Sequence, residues 1–238
     1  RGAFPHSRVG GGTPHFFTQL NRIEDLGRCD FLCFGTTGVV HGADDDEIMA
    51  GLQSLPAMMS TLRHRYGDVA VHVGPSSIGA RRSPLGAQPH SDGTRRLALA
   101  RRDPRTRGLY AAAWAVGYIA QCARAGAQAL TLFDLAGDAA LVTEEGTAPS
   151  FEVLRQLGRP ARCVSVQVSE PEAIAVVALQ RGDLRETIVA NLGGDVAHVQ
   201  VDGAPEQARL MDAQALQQRL RDPQAPPWRT VGRERSGL

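Results

Sequence analysis

The chain has 238 residues, 42% hydrophobic and 21% charged, which places it among globular proteins with room for one large domain or one domain plus a smaller one. Its net charge of +1 argues against a polyanion-binding surface, so no nucleic-acid partner is expected. All 26 basic residues are arginine, which excludes Schiff-base chemistry at a lysine.

No run of about 20 apolar residues exists, so no membrane partner is expected. Cys29, Cys33, Cys122 and Cys163 form no CxxC pair, and two of them sit in apolar runs. They are expected as free thiols in a reducing compartment, which suggests a cytoplasmic protein. The first residue is Arg1, and the expectation is a fragment whose upstream part is missing.

In chain order, "FPHSRVGGGT" suggests a strand end running into a glycine turn, and "PHFFTQLNRI" a short helix. "CDFLCFGTTGVV" predicts a buried strand. A helix follows from Asp44 to Tyr66, open to interruption at Pro56. "DVAVHVGPSS" is the next strand, followed by a long polar loop. "TRGLYAAAWAVGYIAQCARAGA" is the clearest helix, its small residues suited to close packing on a sheet, and "AQALTLFDLAG" is a further strand. Alternating strands and helices predict a parallel α/β architecture, either an open doubly wound sheet or part of a (β/α)8 barrel.

After Pro160 the pattern turns to period two, with turn signals at Arg181-Gly182-Asp183 and Gly193-Gly194-Asp195. The expected organisation is a barrel-like or open α/β domain over 1–160, a small antiparallel β-sandwich-like domain over 161–220, and a flexible tail over 221–238.

His41 falls where a buried strand meets a loop, the strand end at which such folds bind ligands. A histidine there suits general acid–base work. In the following acidic run, Asp44 and Glu47 fit a capping box before Ile48, leaving Asp45 and Asp46 free to face the strand ends. His41 and two nearby aspartates lack a second histidine at ligand spacing, so hydrogen bonding to sugar hydroxyls, or orienting His41, is expected in preference to a metal site. No cofactor is expected.

"VGPSSIGARRSPLG" places Ser76 and Ser77 after a second strand, with Arg81 and Arg82 as candidates to hold an oxyanion or carboxylate. Its spacing does not make a nucleophile elbow. "VGGGT" lacks the Walker lysine and the spacing of a dinucleotide loop, and is a weak phosphate candidate. In "LFDLAGD", Asp134 is placed to face a ligand, and Asp138 to cap or solvate. "RRDPRTRG" predicts a helix entry with paired charges, because Asp103-Pro104 is a start signal.

Three of these stretches, "VVHGADD", "VGPSSIG-R--P-G" and "RRDPRTRGLYAAAWAVGYIA", together resemble the bacterial D-apionate lactonase family. The resemblance covers roughly Val9 to Leu141, and more loosely the β module to about Leu210. It implies the second half of a TIM barrel, about four β/α units, followed by a C-terminal β domain, with the missing N-terminal half of the same protein as partner. The family motif V-H-A-x-D-D falls on Val40 to Asp45. The second motif falls on Val73 to Gly86 with Ser76 and Arg81 matching, while Ser83 and Leu85 stand where the family has Asn and Tyr. The implied activity is hydrolysis of the lactone of a branched-chain sugar acid, D-apionolactone to D-apionate, in apiose catabolism.

On that reading His41 is the general base, oriented by Asp44 or Asp45. Arg81, with the Ser76 hydroxyl, stabilises the oxyanion, and Ser77 and Asp134 contact substrate. Two alternatives stay open. One is a glycoside hydrolase of barrel-plus-sandwich layout, against which the strand ending "VGPSS" supplies no carboxylate. The other is an inactive sugar-binding fragment, for which a homodimer of half barrels is conceivable.

Overall fold

A computed structural model describes residues 5–81, 83, 86–202, 205–222 and 224–231. Four strands, β1 (Gly10–Phe16), β2 (Phe31–Gly35), β3 (Ala70–Ser76) and β4 (Ala129–Leu132), form one parallel sheet in sequence order. Helices cover one face: α1 (Phe17–Asn21), α2 (Asp45–Gly51), α3 (Ser54–Tyr66) and α4 (Leu109–Arg124). Alternate strand residues Leu32, Phe34, Val71 and Val73 point to that face. They join Leu20, Leu55, Met59, Leu62, Trp114 and Tyr118 in a continuous core. The chain is thus a mixed α/β protein with parallel and antiparallel sheets.

Two early elements differ from expectation. Gly10–Gly12 are not a turn but the start of β1, and Pro14–Phe16 complete the strand, leaving a helix of only five residues. The reason is a close approach of backbones. Gly12 pairs with Cys33 at φ +131°, and a Cβ there would lie 2.1 Å from the Cys33 carbonyl oxygen. The expected helix over Asp44–Tyr66 is two helices, but the break falls at Leu52 and Gln53 rather than at Pro56. Pro56 sits in the first turn of α3, where a missing N–H costs nothing.

Beyond β4 come a two-residue ribbon, β5 (Val142–Thr143) with β6 (Gly146–Thr147), and helix α5 (Pro149–Leu157). An antiparallel sheet follows, of β7 (Arg162–Val164), β8 (Ile174–Arg181) and β9 (Leu184–Asn191). Its hairpin turns at Gly182-Asp183, with Gly182 at φ +59°. This sheet packs on α4. Ala112, Val116 and Ala120 meet Val153 of α5 and Ala175, Val177 and Leu179 of β8 in a second core. Helix α4 therefore lies between two sheets, which explains an apolar surface that runs nearly all round it.

Among the described residues of 192–207 none belongs to a strand, although period-two patterning predicts one there. Val196, Val199 and Val201 stand exposed. The stretch expected to be a tail from 221 contributes a strand instead. β11 (Arg229–Val231) pairs with β10 (Ala208–Leu210) around helix α6 (Ala213–Arg221). Asp212 fastens this unit, accepting from the Ala215 N–H at 2.9 Å and from Arg229 Nη2 at 2.6 Å, and that guanidinium holds its carboxyl below the usual range. Residues 232–238 lie outside the described residues. The four cysteines are all free; Cys122 is buried, Cys29 and Cys33 half-buried, and Cys163 exposed.

Candidate functional site at the carboxyl ends of the parallel strands

Past their strand bonds, β2 and β3 continue side by side. The Gly38 N–H donates to the Ser77 carbonyl and the Val39 N–H to the Ile78 carbonyl, each at 3.1 Å. The Thr37 hydroxyl donates to the same Ile78 carbonyl at 2.7 Å. His41 and Arg81 follow this shared register by two and three residues along their own segments, which both go on to bond the 97–100 segment, the Val39 carbonyl to the Leu99 N–H at 2.7 Å and the Ala80 N–H to the Ala100 carbonyl at 2.9 Å. His41 is exposed, and its imidazole has no hydrogen-bond partner among the described residues.

The aspartates beside His41 do not orient it. Asp44 caps α2, with its own N–H donating to Glu47 Oε2 at 3.4 Å in the expected capping box. Asp45 is taken by two arginines: Arg105 Nη1 donates to Oδ1 at 2.8 Å and Arg96 Nη1 to Oδ2 at 3.0 Å. The role expected for either carboxylate, holding the imidazole, is thus replaced by helix capping and ion pairing.

The serines are also structural. Ser76 Oγ, fully buried, accepts from the Thr36 N–H at 3.0 Å and lies within hydrogen-bond distance of the Tyr118 hydroxyl at 3.0 Å and the Thr36 hydroxyl at 3.1 Å. Ser77 Oγ, equally buried, donates to the Gly79 carbonyl at 2.6 Å. The Tyr118 phenol in this cluster is pushed up from its usual range by burial.

Arg81 pairs with Asp134, which follows Phe133 at φ +60° just beyond β4. The Phe133 N–H donates to the Ser76 carbonyl at 2.8 Å, tying that turn to the end of β3. Asp134 therefore presents Arg81 rather than standing free for substrate. Next to them Asp138 accepts from Arg102 Nε at 2.8 Å and pairs with Arg101 Nε at 3.2 Å. The Arg102 bond holds its carboxyl below the usual range. A cleft of about 40 Å³ lies between Arg81, Arg101, Asp134 and Asp138, floored by Ser77, Gly79 and Ala80. It has room for small groups such as water or a carboxylate end, but not for a sugar ring. Arg82, Pro84 and Leu85 lie outside the described residues, so the expectation for Arg82 finds no placement here.

Sequence reasoning missed Arg105. "RRDPRTRG" forms a 3-10 turn (Pro104–Arg107) leading into α4, as the start signal predicts. Within it the Arg105 side chain is only 4% exposed and forks onto Asp103, itself 1% exposed, through Nε at 2.8 Å and Nη2 at 2.6 Å. Burial alone would lower this guanidinium's affinity for its proton; the bonds to Asp103 and Asp45 outweigh it and raise it. The available signal was an arginine two residues after an aspartate across a proline. No group of three His, Cys, Asp or Glu side chains suited to a metal ion lies among the described residues, and no described helix is long and apolar enough to cross a membrane.

Residues 1–162 match the family described as D-apionate lactonase, TIM barrel domain. Over 148 residues the chain is 39% identical to the D-apionate lactonase of Brucella anthropi, an alignment covering 61% of this chain and 24% of that protein. The chain thus spans about a quarter of the length of this curated relative. On the family match over most of its length, the chain belongs to the D-apionate lactonase family.

Proposed function

We propose that this chain carries part of a lactone-hydrolysing site, built where four consecutive barrel strands end, and that the whole protein opens the lactone of a branched-chain sugar acid such as D-apionolactone. The observation that carries this reading is the shared edge of β2 and β3. Past that edge the chain carries an exposed imidazole with no hydrogen-bond partner among the described residues (His41) and a guanidinium paired with a carboxylate (Arg81 with Asp134), which supports the reading. Lactone hydrolysis needs a proton acceptor for water and a cation for the developing oxyanion.

In this mechanism water attacks the lactone carbonyl carbon while His41 takes the water proton. Arg81 stabilises the oxyanion of the tetrahedral intermediate. Its collapse breaks the bond to the ring oxygen, which recovers the proton from His41 and leaves as the hydroxyl of the open sugar acid. Arg81 and Arg101 then face the product carboxylate. The remainder of the barrel, supplied by the missing N-terminal part of the same protein, completes the wall around the sugar ring, and the reaction takes place in the cytoplasm as a step of apiose breakdown.

The test is NMR-followed opening of D-apionolactone by the full-length gene product, by its His41→Ala variant and by this chain alone. The expected result is turnover by the full-length protein and loss of at least about 100-fold in the variant. A His41→Ala protein with near wild-type rate would remove His41 from the role.

A further inference from the structure

The backbone on both sides of His41 is fastened, yet the imidazole has no partner among the described residues. On the amino side, the Val39 N–H donates to the Ile78 carbonyl at 3.1 Å and the Val39 carbonyl accepts from the Leu99 N–H at 2.7 Å. On the carboxyl side, the Ala43 carbonyl accepts from Arg105 Nη1 at 2.8 Å, and the same Nη1 donates to Asp45 Oδ1 at 2.8 Å. The Tyr110 hydroxyl donates to the Asp45 carbonyl at 2.6 Å, with Arg105 lying 5.4 Å from the Tyr110 ring centroid. None of these bonds uses the imidazole.

Arg105 holds this loop by its backbone, through the Ala43 carbonyl. The capping box already starts α2, so the helix itself does not need Arg105. What Arg105 adds is a fixed distance between the end of the 3-10 turn and Ala43, two residues after His41. Both hydrogens of Nη1 are spent on the loop, while Nε and Nη2 are anchored on Asp103. The guanidinium fork therefore ties the loop to the start of α4, the most deeply packed helix of the chain.

We infer that Arg105, assisted by Tyr110, is a positioning residue for His41: it sets where the imidazole stands at the barrel rim without touching substrate. This rests on the reading of His41 as the general base. Small displacements of a catalytic group reduce turnover far more than ground-state binding, so the effect falls on kcat and leaves KM nearly unchanged.

The experiment uses the full-length protein with D-apionolactone and the variants Arg105→Gln, Arg105→Lys and Tyr110→Phe, each also combined with His41→Ala. Imidazole resonances of His41 are followed by NMR. Expected are a kcat loss of about 100-fold in Arg105→Gln, partial rescue in Arg105→Lys, and a smaller kcat loss with a shifted His41 resonance in Tyr110→Phe. In the His41→Ala background none of the three lowers the residual rate further. Tyr110→Phe removes one hydroxyl, so it keeps the test open if Arg105→Gln does not fold. Wild-type kcat and unmoved His41 resonances in both Tyr110→Phe and Arg105→Lys would overturn the inference, as would losses that multiply with His41→Ala. A fully active His41→Ala protein would instead overturn the assignment of the base, a separate outcome.

Discussion

Ser76 distinguishes a structural from a catalytic reading of the strand-end motif. Its hydroxyl is fully buried, accepts from the Thr36 N–H and shares a ring of hydrogen bonds with the Thr36 and Tyr118 hydroxyls. In Ser76→Ala the Thr36 and Tyr118 hydroxyls still satisfy each other, since they already lie 2.7 Å apart. The Thr36 N–H has no such substitute and is left without its acceptor. An orphaned donor costs about 1–3 kcal/mol when fully buried, and the Thr36 N–H is part-buried, so the variant should lose about 1 kcal/mol of stability. Urea unfolding of the chain, followed by tryptophan fluorescence, measures this directly, because Trp114 lies against Tyr118 with ring centroids 4.8 Å apart. The full-length variant should keep its KM for the lactone. A stability loss under about 0.5 kcal/mol together with a KM raised tenfold or more would refute the reasoning and return Ser76 to the substrate.

Gly12→Ala should destabilise the chain by more than about 2 kcal/mol, since φ +131° disfavours any side chain and the new Cβ meets backbone atoms of Cys33 at 2.1 and 2.9 Å. Gly11→Ala, whose nearest neighbour is the Cys29 sulfur at 3.1 Å, is the control, and equal losses in the two would sink the argument. Burial raises the Cys122 thiol from its ordinary 9.0 to about 12 and pushes the Tyr118 phenol up as well. Groups raised in the folded state contribute stability that is present below their unfolded pKa and lost as pH rises. Stability should therefore fall between pH 9.0 and about 12. In the same chain at about pH 8, iodoacetamide should label exposed Cys163 and spare Cys122 until urea unfolds it, as read by mass spectrometry. Equal labelling rates for the two would show that Cys122 is not enclosed.

The parallel sheet was legible because its strands carry their own signature. Leu32 and Phe34, or Val71 and Val73, are apolar at period two and separated by helices of helical period. The hairpin at Gly182-Asp183 was legible for the same local reason. What escaped was set by contacts distant in sequence. Nothing near Gly12 shows that Cys33 will pass against it, so three glycines suggest a turn when they are a strand. Val199 and Val201 alternate as a strand would, but no neighbouring strand pairs with them among the described residues. Conversely, Arg229–Val231 sits in a proline- and arginine-rich stretch, and becomes a strand only because Asp212 grips Arg229 and Leu210 offers an edge.

The site shows the same division, with a chemical cause. Sequence position does not give the state of the side chains past the strand ends, where Asp45, Asp134 and Asp138 are all engaged while Asp46 has no side-chain partner among the described residues. Asp45 is held by Arg105 and Arg96, Asp134 holds Arg81, and Asp138 takes Arg101 and Arg102. A chain without lysine makes every cation a planar fork, and forks seek carboxylates with two-point geometry. Asp45, Asp134 and Asp138 therefore hold arginines in place. His41 differs from all of them because its backbone is fastened on both sides while its imidazole bonds to nothing among the described residues. A reactive group that must exchange a proton with water needs that combination of fixed position and free nitrogen. It is on that combination that the proposal of His41 for the proton transfer rests, with the arginines proposed for the charge.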